Sequence, residues 1–459
     1  MNILVIGNGF DLAHDLPTKY TDFLLFSKIV LSIIEKSHIG YLIPKDDKGY
    51  KNWVKKDDEI PLVDGDAINL IGIALRSNGI SNRDKEICKM MIYDYFLFNF
   101  SKENNNQMIV KELSYLIYNN NWVEYFLQCD MHGKENWIDF ESEISEVIES
   151  IDVGMDNGLS PRKLSSKIIR LENEFFNNKF TNNVPEYLQA KTVEEQEKVK
   201  KPEISYKELR DILLADLNKL IRAFEIYLEE YVEKIDIKVI SPDIEEIAAV
   251  SYDEHGEKGI LFSKVISFNY TSVYEKMYLD KHDIAVDGYM DYIHGKADIG
   301  NTIESNNMVL GIDEYLPKKR RNKETEFIAF KKFYQRIHKE TGCKYKEWAD
   351  KIKESGKKEE KDLRGQFPTQ IPIMKFRYKH KLYIFGHSLD VTDKDILRDL
   401  ILNDNVKTTI FYHSKDAMGQ QIANLVKIIG QKELIRRTGG STKTIYFEPQ
   451  KPMVPIEKQ

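Results

Sequence analysis

Met1-Asn2-Ile3-Leu4-Val5-Ile6-Gly7-Asn8-Gly9-Phe10-Asp11 opens the chain, and its reading decides the fold. Ile3 to Ile6 is an unbroken apolar run that ends at a glycine. Such a run, bounded by a turn signal, reads as a strand buried on both faces, as in a parallel sheet. The two glycines let backbone approach a ligand, and a helix starting behind them offers N–H groups to an anion. A tight strand-to-helix turn needs glycine for its own sake, so that reading stays open. Asp11 is also open to two readings. It can cap the following helix, or it can hydrogen-bond a ribose or hold a water, though it would repel a pyrophosphate.

Outward from this opening, a helix or helical turn is expected from Leu12, interrupted near Pro17, with a second apolar helix over Phe23 to Ile34. The character then changes. Lys45 to Asp58 reads as a charged loop and Lys191 to Pro202 as a charged linker. Helical patterns fill much of the rest: Lys85 to Phe100, Val110 to Gln128 broken at Asn119 to Asn121, Asp139 to Ile151, and Tyr206 to Ile235. In the last, Leu209, Ile212, Leu213, Leu217, Leu220, Ile221, Phe224 and Leu228 form one stripe, the mark of a helix facing a core. Strand-like runs return at Val265 to Phe268, Ala285 to Ile293, Met308 to Gly311, Leu382 to Phe385, Thr408 to Tyr412 and Lys443 to Phe447. Between them, Thr392 with Asp395 reads as a capping box, and a helix over Ala417 to Ile429 should stop at Gly430. The expected fold is therefore α/β: a Rossmann-like, mainly parallel sheet with a large helical insertion. Residues 1–40 and 258–459 would form the nucleotide-binding domain, and 41–257 the helical lobe.

Composition narrows the classes. The 459 residues leave room for two or three domains. At 42% hydrophobic residues the chain can bury a large core. A formal charge of −7 gives no global footprint for DNA binding, although nucleic acid as a partner is not excluded on that ground. Lys318, Lys319, Arg320, Arg321 and Lys323 make one basic run, read as a solvated face or as contact with RNA or a phosphorylated ligand. Cys88, Cys129 and Cys343 are scattered and form no CxxC pair, so no structural zinc and no disulfide framework is expected. The start has no basic region before its short apolar run, and no stretch reaches the roughly 20 apolar residues of a membrane span. A cytoplasmic protein with no membrane contact is expected.

Ligands of open α/β sheets sit beyond the carboxyl ends of the strands, so the loops after each strand carry the candidates. Gly7, Asn8, Gly9, Phe10 and Asp11 follow the first. Ser267-Phe268-Asn269-Tyr270-Thr271 follows the second, and an Asn there can fix a sugar hydroxyl or an attacking water. His294-Gly295 follows the third, placing a general base near neutral pH. His132-Gly133 and His255-Gly256 lack that context. Gly386, His387, Ser388 and Asp390 follow the strand at Leu382 and suit backbone contact with adenosine or phosphate, with Asp390 as a local cap the competing reading. Asp139 and Glu141 are carboxylates at a helix start, explained equally by the helix dipole or by catalysis.

Together these segments resemble the AbiH family of bacteriophage abortive-infection proteins. The resemblance rests on Ile3 to His14, Leu16-Pro17-Thr18 and Tyr20, then Asn269-Tyr270-Thr271, Ile293-His294-Gly295 and Phe385 to Asp390, in that order. More remotely they resemble sirtuin-like NAD-binding domains. There Gly7-Asn8-Gly9 with Asp15-Leu16-Pro17, Phe268-Asn269, His294-Gly295, Leu310 to Pro317 and Gly386-His387-Ser388-Leu389 stand at the matching motifs. Asp11 departs from the serine of that first loop, and the four-cysteine zinc module is missing. The resemblance implies antiphage defence and NAD as ligand, cleaved between nicotinamide and ribose. His294, Asn269 and Asp11 would be catalytic, and Gly7, Asn8, Gly9, Phe10, Gly386, His387, Ser388 and Asp390 would hold NAD or a related nucleotide. Two alternatives stand beside it: a metal-dependent nuclease using Asp11, Asp139 and Glu141, and a non-catalytic nucleotide-responsive module. A phage or host trigger and a homo-oligomer are further expected partners.

Overall fold

A computed structural model describes residues 1–36, 106–118, 120–131, 139–156, 205–247, 250–252, 258–260, 264–280, 288–366 and 380–456. The expected Lys45–Asp58 loop, Lys85–Phe100 helix, Lys191–Pro202 linker and the His132-Gly133 and His255-Gly256 pairs lie outside these residues.

Six parallel strands form the central sheet: β1 (Asn2–Ile6), β2 (Lys264–Ser267), β3 (Met290–Tyr292), β4 (His380–Phe385), β5 (Val406–Tyr412) and β6 (Ile445–Pro449). Their order is β3-β2-β1-β4-β5-β6. This is the doubly wound Rossmann arrangement, in which strand order reverses beside β1. Leu4 of β1 pairs with Val265 on one side and Tyr383 on the other, so β1 is fully enclosed.

Successive residues of a strand face opposite sides, which explains the unbroken apolar run of β1. Leu4 and Ile6 join one core with Phe23, Trp122, Phe140 and Leu217. Ile3 and Val5 join the other with Trp348, Leu397, Ile401 and Leu425. Each such buried side chain contributes about 1.5–3 kcal/mol.

The first face is covered by α1 (Asn8–Ala13), α2 (Tyr20–Lys36), α3 (Asn106–Ile117), α4 (Asn121–Met131), α5 (Phe140–Asp156) and α6 (Tyr206–Glu230). Aromatic stacking knits them together: Phe140 lies flat between Tyr20, at 4.3 Å, and Phe126, at 4.1 Å. α6 opens with a capping box between Ser205 and Glu208. Its predicted stripe is buried except Ile212, which faces outward at 38% exposure. The second face carries α8 (Lys344–Gln366), α9 (Lys394–Ile401), α10 (Lys415–Ile429) and α11 (Gln431–Thr438), with the α8–α10 side chains named above in its core, and the short α7 (Lys332–His338) precedes α8 in the chain. α10 stops at Gly430, whose φ is +85°, as expected from sequence.

Three local expectations are corrected. Met308 to Gly311 is buried but forms no strand. Val309 N–H donates to His294 O, and Ile312 meets Lys331 in an isolated bridge, so the run spans the sheet end without a strand neighbour. Thr392 does not cap α9. A short 3₁₀ turn, Val391–Asp393, precedes that helix and is capped by Asp390, whose carboxylate accepts from Thr392 N–H at 2.9 Å. Asp11 does not cap α1, which starts at Asn8 and contains it. The basic run from Lys318 to Lys323 is a surface turn in which Arg320 pairs with Asp152 and Glu324.

Candidate functional site

A cavity of about 560 Å³ lies over the carboxyl edge of the sheet and is walled by the loops after β1, β2, β3, β4 and β5. Its size is that of a small-molecule site. Gly7, Asn8, Gly9, Asp11, Asn269, His294, Gly386, His387, Ser388 and Asp390 all line it. Asp139 and Glu141 reach it from α5, so the two carboxylates meet the other candidates. Phe10 does not line it: its ring is buried against His14, Tyr274 and Phe385.

The glycines serve a purpose different from the one their spacing announces. Gly9 N–H donates to Gly386 O at 2.7 Å, and Gly7 N–H to Phe385 O at 3.2 Å. A Cβ on Gly9 would stand 2.8 Å from Gly386 Cα, and one on Gly386 2.1 Å from Phe10 N. Gly386 also has φ +67°, which L residues rarely adopt. The β1 and β4 loops are therefore pressed backbone to backbone, and the N–H groups of Gly7 and Gly9 already have acceptors. The expected anion cradle at the start of α1 loses those donors. After β3, Gly295 has φ +79° and abuts Asn307 O, which turns the chain directly behind His294.

At the β1–β2 end, Asp11 accepts from Thr271 Oγ1 through Oδ2 at 2.7 Å, while its Oδ1 has no partner among the described residues. Neither amide atom of Asn269 closes a hydrogen bond of ordinary geometry, although the residue is 4% exposed. Buried polar atoms are almost always paired in proteins, and here the Asp11 carboxyl and the Asn269 amide stand together as a loosely satisfied polar pair in the cavity wall. Burial pushes the Asp11 carboxyl up to about 7, against the pull of the Thr271 hydroxyl and the nearby Asn269 amide.

Beside it stands a buried charge cluster. Asp393 Oδ1 is 3.1 Å from His294 Nε2 and 3.4 Å from Lys332 Nζ, and its Oδ2 is 3.7 Å from His387 Nε2. Lys332 Nζ reaches Glu141 Oε2 at 2.7 Å and Thr392 Oγ1 at 3.1 Å. Burial alone would raise Asp393, yet Lys332 and the two imidazoles hold it well below the usual carboxylate range. Burial opposes the charge on Lys332, but Asp393 and Glu141 outweigh that and hold it protonated. Burial pushes Glu141 up to about 8 in spite of Lys332. His294 is pushed down by burial and then by Lys332, and His387, chiefly by burial, to about 4. Both imidazoles are therefore neutral near pH 7. His387 Nδ1 accepts from Leu389 N–H at 2.8 Å, so its proton sits on Nε2, facing Asp393. His294 Nε2 lies 3.1 Å from Asp393 Oδ1 yet closes no hydrogen bond of ordinary geometry among the described residues.

Asp393 and Lys332 escaped the sequence reading. Asp393 sits inside a helix-start pattern that explains an acid without chemistry. Lys332 opens a basic helix, and its partners come from residues distant in the chain. The one visible trace was Asp390 and Asp395 flanking Asp393 in a loop already marked by Gly386.

This is a Rossmann-type α/β protein with an acid-lined cavity at the point where strand order reverses. Residues 3–413 match the family model described as bacteriophage abortive infection AbiH, and the chain belongs to that family. Comparison with curated proteins and with solved structures finds no match. Among the described residues no helix is long and apolar enough to cross a membrane.

Proposed function

We propose that the protein binds NAD across the β1–β4 switch point and hydrolyses the bond between nicotinamide and ribose. The observation that carries this reading is the buried, loosely satisfied pair of Asp11 and Asn269 in a cavity that His294 also lines. Asp11, Asp139, Glu141, Asp390 and Asp393 line the cavity against two lysines, Lys19 and Lys332. With the imidazoles of His294 and His387 neutral, this lining offers few cations to pair with a dense phosphate cluster.

In the proposed reaction, Asn269 and Asp11 hold ribose hydroxyls or the incoming water. Water adds its oxygen to the ribose carbon as the carbon–nitrogen bond breaks. The bonding pair leaves with nicotinamide and neutralises its ring charge. The proton lost by the water passes to His294, which Asp393 orients. The products are nicotinamide, ADP-ribose and a proton.

The test is incubation of purified protein with NAD, followed by chromatography of the products. Nicotinamide and ADP-ribose are expected, and His294→Ala or Asn269→Ala should lower the rate about 10²–10⁴-fold with unchanged circular dichroism. In infected cells NAD should fall with the unaltered chain and persist with His294→Ala. Unchanged NAD in protected, growth-arrested cells would reject the reading.

The convergence of Asp11, Asp139 and Glu141 on this cavity also keeps metal-dependent nucleic-acid cleavage in view. Glu141 is engaged by Lys332, and among the described residues no group of three or more His, Cys, Asp or Glu is arranged to hold a metal ion. Parallel incubations of RNA and DNA with Mg²⁺ decide between the two.

A further inference from the structure

The other end of the cavity, beyond β4 and β5, has different chemistry. It is walled by His387, Tyr412, His413, Gln420, Gln421 and Asn424. Gln421 is 6% exposed and sits within α10. Its Nε2 donates to two main-chain carbonyls, His387 O at 3.3 Å and Phe411 O at 3.2 Å. Two acceptors on one side settle which amide atom points there, because turning the group over would set oxygen against oxygen. Its Oε1 therefore faces the other way, and it has no hydrogen-bond partner among the described residues. Asn424, one turn along, is closed: it donates to Ser388 O at 3.0 Å and accepts from Gln420 at 3.2 Å.

We infer that Gln421 Oε1 accepts a hydrogen bond from the exocyclic amine of a ligand's base, so that this end of the cavity selects a 6-aminopurine nucleotide. The inference rests on the reading of the cavity as a nucleotide site. It adds what that reading lacks, a group that tells one base from another. The loop after β4 and the end of β5 fix this acceptor, since the carbonyls that orient it belong to His387 and Phe411. Tyr412 and His413 line the same end of the cavity.

The experiment is calorimetric titration of the unaltered full chain with ADP-ribose and with the analogue whose purine carries hydrogen in place of the 6-amino group. Loss of a hydrogen bond to a buried acceptor should weaken binding of the analogue about 10-fold or more. In Gln421→Met the two ligands should bind alike, with thermal unfolding showing that the variant is folded. The ligand comparison needs no variant, so it stands even if Gln421→Met fails to fold. Equal affinities in the unaltered chain, binding of neither ligand, or a preference retained by folded Gln421→Met would each overturn the inference. A preference for the amine without release of nicotinamide from NAD would sustain it while removing the hydrolysis proposed above.

Discussion

Asp11 shows how one residue joins stability to chemistry. Its carboxyl titrates near 7 in the fold against an ordinary value of 3.8, because burial disfavours the charge. Below pH 3.8 the group is protonated folded or unfolded and makes no difference. Between about pH 4 and pH 7 the fold binds the proton that the unfolded chain releases, so stability falls as pH rises, and it levels off above 7. Asp11→Asn should flatten this slope, by an amount on the order of a few kcal/mol across the window. Urea midpoints of both forms from pH 4 to 8 measure it, and parallel slopes would show that Asp11 titrates normally. Gly386 is the second residue with a sharp consequence. An alanine there combines a left-handed φ with a 2.1 Å approach to Phe10 N. The backbone alone costs about 1–3 kcal/mol, so Gly386→Ala should lower the urea midpoint clearly. An unchanged midpoint would show that the β1–β4 loop contact is not what the glycine serves.

At the scale of elements, Lys332 ties three of them together. It lies on α7 and meets Glu141 of α5 and Asp393 of the turn before α9. Lys332→Met would leave Asp393, and Glu141 wherever it is ionised, in the interior without their cation. Breaking a buried pair in this way costs about 3–5 kcal/mol. The missing cation would raise both carboxyls, so the variant should be weakest at high pH and regain ground as acid protonates them. Thermal unfolding of both forms at pH 8 and pH 5 checks this: the gap should narrow at pH 5, and a gap constant with pH would contradict it. A second tie is Arg222 of α6, which pairs with Glu112 of α3 at 2.9 Å and donates to Asp298 O and Ile299 O in the loop after β3. Glu225 of the same helix accepts from Asn301 and Asn306. The helices thereby grip the loop that follows His294.

At the scale of the molecule, the two cores share the sheet between them. Ile3 and Val5 feed one, and Leu4 and Ile6 the other, so neither core can be lost while the other keeps β1. Urea unfolding followed by tryptophan fluorescence should coincide with that followed by far-ultraviolet circular dichroism, and two separated transitions would contradict a shared core. The six strands were legible because parallel strands announce themselves as short apolar runs ending in glycine or polar loops. Met308 to Gly311 imitated one, since local composition reports burial and is blind to the neighbour a strand needs. The loops of the site were legible for the same reason the strands were: they come next. Asp393, Lys332 and Gln421 were not. Their meaning lies in partners and in an open lone pair, and neither leaves a mark in the residues beside them.

The central place of β1 carries a consequence in time. The ribosome makes this strand well before its neighbours β2 and β4, which begin only at Lys264 and His380. At about 5–20 residues per second, β1 waits roughly ten seconds to a minute for a first partner. The cavity waits longer, because Gln421 and Gln450 are among its walls. A chain abandoned between His294 and His380 holds Gly7, Gly9, Asn269 and His294 but not the walls after β4 and β5. Whatever this cavity does therefore begins only once synthesis has passed β5 and α10, which wall its far end.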